Sequence, residues 1–108
     1  MPGALDGIRV LDLTSVVLGP LATQTMGDMG ADIVKIEGPA GDTTRYTGPK
    51  RSADMSALYM GLNRNKRSIV LDLKQGAAKD ALWRLIDTAD VFLHSVRPQA
   101  MERLGFGA

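Results

Sequence analysis

With 108 residues, 44% of them hydrophobic, the chain is long enough for one domain with its own core and too short for two. The absence of cysteine excludes disulfide frameworks, cysteine-based zinc clusters and thiol nucleophiles. A net charge of +1 argues against general nucleic-acid binding, no apolar run approaches membrane-spanning length, and the start MPGALDG does not read as a secretory leader, so a cytoplasmic protein of modest stability is expected.

The first organised stretch, residues 8–37, reads as one strand–helix–strand unit. Ile8, Val10, Leu11 and Leu13 form a short apolar run, and Ile33, Val34 and Ile36 form another; both fit buried parallel strands. Between them Gly19 and Pro20 mark a helix start, Ala22, Met26 and Met29 recur at helical spacing, and Gly30 stands as the C-terminal cap. Such a unit crosses over right-handed and places its helix N-terminus at the carboxyl edge of the sheet, where ligands bind. Glu37 stands where a dinucleotide-binding domain puts its ribose-binding acid. The loop TSVVLGP, however, has Gly19 alone where that fingerprint needs several glycines, which counts against a nicotinamide site. Val16, Val17 and Leu18 suit the flank of an apolar group, such as an adenine face or acyl chain, or simple packing under the loop.

Residues 38–55 show no periodicity and read as a long loop, either an active-site segment or a solvated one. Asp54 or Ser56 is placed to cap a short helix through Leu58, Tyr59 and Leu62. Residues 45–74 hold seven basic side chains (Arg45, Lys50, Arg51, Arg64, Lys66, Arg67, Lys74) against Asp54 and Asp72, so the rest of the chain carries a net −4. A basic segment of this kind, with NRNKRS just before a strand, suits a compact polyanion; ordinary surface charge or capping of helix carbonyls is the alternative. The third strand is expected at IVLDL, residues 69–73. A helix follows over 76–89, with Ala78, Leu82, Leu85, Ile86 and Ala89 on one face and Trp83 packing at its margin. The fourth strand is DVFLHS, residues 90–95, and QAMERLG forms a last helix. With a single histidine, His94, no metal site is expected. The pattern predicts an α/β fold: a Rossmann-like, mostly parallel sheet with flanking helices, incomplete because the run stops where another strand is due, and open to association at its sheet edge.

Three stretches, taken together and in order, resemble the family III CoA-transferases, which include formyl-CoA transferase, carnitine CoA-transferase and α-methylacyl-CoA racemase. They are GIRVLDLTSVVLGPLATQTMGDMGADIVKIE at 7–37, LNRNKRSIVLDLK at 62–74 and ADVFLHSVRPQAMERLGFG at 89–107. The resemblance covers essentially the whole chain. It implies that residues 1–108 are the N-terminal CoA-binding part of a larger transferase domain, working on an acyl-CoA and a carboxylic acid as an interlocked homodimer. By position, Val16, Val17 and Leu18 would lie along coenzyme A, Leu71 and Lys74 near its adenosine end, Ser95 and Val96 around the nucleotide, and Arg103 facing a phosphate. Where many relatives have a basic residue after the second strand's glutamate, this chain has Gly38. Where relatives often read Glu-Asn-Phe before an Arg-Pro turn, it has His94, Ser95 and Val96. The nucleophilic aspartate of the family, which forms an aspartyl-CoA thioester, falls downstream of residue 108, so the expectation is a chain without turnover of its own. The long 38–55 segment favours a transferase over a racemase; a non-catalytic CoA or nucleotide module, or a remnant that dimerises, is the competing reading.

Overall fold

The computed structural model of the chain describes residues 3–15, 18–46, 50–52 and 55–106. The expected first unit is present as β1 (Arg9–Leu13), α1 (Leu18–Asp28) and β2 (Asp32–Glu37). Pro20 sits in the first turn of α1, where a missing amide costs nothing. Gly30 ends the helix at φ 102°, a left-handed conformation in which its amide and that of Ala31 return to the Gly27 and Met26 carbonyls.

The face that α1 buries differs from the one read off its apolar spacing. Pro20, Thr23 and Gln24 are buried, whereas Ala22 and Met29 are exposed. The reason lies beneath the helix: the sheet there presents the carboxylate of Asp12, to which Thr23 donates at 2.7 Å, rather than an apolar surface.

Residues 38–55, expected to be irregular, contain a 3₁₀ turn (Thr43–Tyr46) and an antiparallel pair, β3 (Lys50–Ser52) with β4 (Met55–Ser56). The Asp42 carboxylate nucleates the turn by accepting from both the amide and hydroxyl of Thr44. Ser56 then caps α2 (Ala57–Asn63), its hydroxyl accepting from the Tyr59 amide at 3.0 Å; the other capping candidate, Asp54, lies outside the described residues.

β5 runs over Lys66–Val70, three residues earlier than the apolar run that announced it. It is an edge strand, so only part of its length needs to be apolar, and its first residues carry charges to partners on both faces. α3 (Gly76–Thr88), β6 (Val91–His94) and α4 (Pro98–Leu104) follow as expected, with Gly105 at φ 93° closing the last helix. Trp83 is a packing residue: its ring stacks on Phe106 with centroids 4.8 Å apart.

The four long strands form one parallel sheet in the order β5-β2-β1-β6. Its two faces differ in character. On one, Leu11, Val34 and Ile36 pack under Leu82 of α3 and Met101 of α4. On the other, Val10 and Ile33 meet Met26 of α1 near the amino edge. Toward the carboxyl edge that second face turns ionic, with Asp12, Lys35 and Glu37 all buried.

Candidate functional site

Chain connections leave β1 in opposite directions, through α1 to β2 on one side and, from β5, through α3 to β6 on the other. The carboxyl ends of β1 and β6 therefore flank the topological switch point, the position at which open α/β sheets take ligands. Here the Ser15 amide donates to the Ser95 hydroxyl at 3.3 Å. Beside that contact is a cavity of about 180 Å³ walled by Leu13 at the end of β1 with Thr14 and Ser15 beyond it, Ile36, Glu37, Gly38, Gly41 and Asp42 along and after β2, and Leu73, Val96 and Leu104. A space of this size takes one ring system rather than a whole cofactor, whose remainder would lie over the open edge.

Among the residues expected to contact ligand, Val96 lines the cavity and Ser95 braces its rim. Leu71 is half-buried against the apolar core, and its neighbour Leu73 faces the cavity instead. Lys74 is exposed just past β5, with its amide donating to the Asp72 carboxylate, and Arg103 is exposed in the last turn of α4, next to the cavity-lining Leu104. Leu18 is 84% exposed at the start of α1, available to a ligand lying across the loop. Val16 and Val17 lie outside the described residues.

The basic middle segment is largely paired within the chain, Lys66 and Arg45 in the interior and Arg64 and Arg67 at the surface. Lys66, Arg45, Arg64 and Arg67 pair with Asp12, Glu37, Asp28 and Asp32 respectively. The acidic partners come from β1, α1 and β2, which is why a segment of strong local charge leaves so little of it in the fold. NRNKRS is therefore no free anion cradle: Lys66, 1% exposed, donates to Asp12, the Pro20 carbonyl and Asn63, while Arg64 and Asn65 both donate to Asp28. Of the basic residues in that segment with described side chains, Lys74 remains at the carboxyl edge.

Glu37 is committed in the same way. Its carboxylate accepts from Arg45, Ser68, Tyr59 and the Asp42 amide, and the Arg45 guanidinium also lies 3.9 Å above the Tyr59 ring. A carboxylate so occupied has no oxygen left for a ribose, a second mark against a nicotinamide site. Burial alone would raise its pKa, but the bonds from Arg45, Ser68 and the Asp42 amide outweigh it and hold Glu37 at about 2, below its ordinary 4.5. Burial and the Glu37 charge push the Tyr59 hydroxyl up to about 12.

Because the folded Glu37 value is depressed, its contribution is complete above pH 4.5 and is lost as pH falls toward 2. A shift of that size corresponds to about 3 kcal/mol. Urea unfolding is expected to show wild type losing more stability than Glu37→Gln between neutrality and about pH 3. Parallel acid limbs for the two proteins would contradict it.

Sequence reasoning missed the ionic group formed by Asp12, Lys35, Asp42 and Lys66. Burial alone would raise Asp12, yet donors from Thr14, Lys66 and Thr23 hold it below the ordinary carboxylate value; burial, the largest influence on Lys66, pulls that ammonium down despite Asp12. The signal available was a lysine between apolar residues in IVKI, residues 33–36 of β2. Among the described residues there is no cluster of three or more histidine and acidic side chains that would hold a metal, and no helix long and apolar enough to cross a membrane.

Residues 5–108 match the sequence model of CoA-transferase family III. The chain is 44% identical over 106 residues to the probable fatty acyl-CoA transferase Rv3272 of Mycobacterium tuberculosis, covering 95% of this chain and 27% of the relative. It is 48% identical over 108 residues to formyl-CoA:oxalate CoA-transferase of Streptomyces avermitilis, covering 98% and 26%. Among solved structures, a CAIB/BAIF family protein from Brucella suis superposes with a TM-score of 0.92 at 32% identity, over 100% of this chain and 30% of that one. The chain spans about a quarter of the length of the curated relatives it matches.

Proposed function

Because the chain belongs to CoA-transferase family III, we propose that residues 1–108 form the CoA-holding sheet of an enzyme that moves coenzyme A from an acyl-CoA to a carboxylic acid. The carrying observation is the cavity at the switch point, apolar on the side of Leu13, Ile36, Leu73, Val96 and Leu104, with exposed Lys74 and Arg103 next in sequence to its lining residues Leu73 and Leu104. The apolar walls suit the adenine ring, and the two exposed cations suit the phosphates.

The carboxylate nucleophile comes from sequence C-terminal to this region. Its oxygen attacks the thioester carbonyl and expels CoA thiolate, leaving a mixed anhydride; the thiolate then attacks the aspartyl carbonyl and releases the first carboxylate. The acceptor acid reverses these steps. Asp12 and Asp42 are excluded from that role by their buried ion pairs with Lys66 and Lys35. In this reading the working enzyme is a cytoplasmic homodimer, and these 108 residues bind CoA without turning it over.

Isothermal titration of the chain with coenzyme A, with dephospho-CoA and NADH as comparisons, tests the reading. Saturable binding that ranks CoA first is expected. A folded chain that ignores CoA, or prefers NADH, would overturn it.

A further inference from the structure

In the CoA-binding reading Lys35 touches no ligand, and yet it is the largest fully buried side chain among the described residues. Its side chain is 1% exposed in the middle of β2. Taking an ammonium out of water is costly, and a methionine or leucine at such a position is commonly neutral or better for stability. The sheet itself has no need of the charge, because neighbouring Ile33 and Ile36 show that this strand accepts apolar side chains on either face.

What the ammonium reaches is specific. Nζ donates to the Thr14 carbonyl at 3.1 Å and pairs with the Asp42 carboxylate at 3.0 Å. Thr14 and Asp42 stand on different walls of the same cavity, one in the segment after β1 and the other in the segment after β2. Thr14 is held on its other sides as well: its amide and hydroxyl both donate to Asp12, and a Cβ on Gly19 would overlap its side chain. Asp42, for its part, holds the 3₁₀ turn through Thr44.

From this geometry we infer that Lys35 is a positioning residue, a buried strut that ties Thr14 to Asp42 and so sets the spacing of the two walls between which coenzyme A is held. The inference rests on the CoA-binding reading for the identity of the ligand, and on the structure for the strut. Its energetic meaning is preorganisation: the walls are ordered before ligand arrives, so binding does not bear that entropy.

The test separates positioning from simple stability. Lys35→Met leaves the Asp42 carboxylate buried without its cation, so it destabilises the fold for reasons unconnected with binding. Lys35→Met combined with Asp42→Asn removes the whole pair and regains most of that stability, but leaves the Thr14 carbonyl without its donor. The double variant is expected to melt near wild type, to bind CoA about tenfold more weakly, and to exchange its Thr14 and Ser15 amides faster while the amides of α3 are unchanged. Wild-type CoA affinity in the double variant, or unchanged exchange at Thr14 and Ser15, overturns the strut.

Should the double variant fail to fold, Lys35→Gln serves instead: its neutral, shorter side chain loses the ion pair with Asp42 and does not hold both walls, so it is expected to show the same faster exchange at Thr14 and Ser15 with a smaller loss of affinity. If wild type itself does not bind CoA, the function proposed above falls, and the exchange measurement alone decides for or against the strut.

Discussion

Lys66→Met is expected to destabilise the chain by about 3–5 kcal/mol, a large part of what a domain of this size has. The side chain it replaces is 1% exposed and its partner Asp12 is fully buried, so the substitution leaves a carboxylate in the interior with hydroxyl and amide donors but no cation. Removing both charges with Asp12→Asn and Lys66→Met is expected to restore much of the loss, because the desolvation of two ions disappears together with their attraction. Urea midpoints of the two single variants and the double variant give the coupling directly. Equal and additive losses would contradict the assignment of Lys66 to a buried pair. Arg64→Ala is the natural comparison: its ion pair with Asp28 is solvent-exposed, and little change is expected.

Val96→Glu is expected to reduce CoA affinity by about a hundredfold or more, since it places a carboxylate on the wall of a small cavity that is to receive part of a polyanion. Val96→Thr keeps the shape and is expected to bind nearly as wild type. Lys74→Ala and Arg103→Ala remove single exposed cations, and about tenfold or less is expected from each, together with a shallower dependence on salt. Calorimetric titration with melting curves for each variant checks both the order and the fold. Unaltered binding by Val96→Glu in a folded chain would place the ligand elsewhere.

How legible all this was in the sequence varies by element. The strands of the first unit, the cap at Gly30, the cap at Ser56 and the amphipathic face around Leu82 were readable because each depends on local periodicity or turn chemistry. The buried face of α1 was not, because hydrophobic spacing assumes an apolar surface below the helix, and here Thr23 lies on Asp12. The start of β5 was hidden for a related reason: Lys66 and Arg67 look like loop residues until their partners, Asp12 and Asp32, are brought alongside from more than thirty residues away.

The same long-range pairing explains why a basic segment mimicked a polyanion site. Charge runs are visible locally, whereas neutralisation is a property of the fold. At the candidate site, Ser95 and Val96 came from the family resemblance; Val96 lines the cavity, and Ser95 accepts from the amide of the cavity-lining Ser15. Thr14, Leu73 and Leu104 were missed, although each is within three residues of a position that was named.

Placement of the ligand at the carboxyl edge is tested most directly by titrating the ¹⁵N-labelled chain with coenzyme A and following backbone amide shifts. Large changes are expected at Thr14, Ser15, Gly38, Gly41 and Val96, with none at Gly7, Arg9, Thr88 or Asp90 at the opposite edge of the sheet. Shifts confined to that opposite edge, or to Arg64 and Asn65 beside α2, would contradict it.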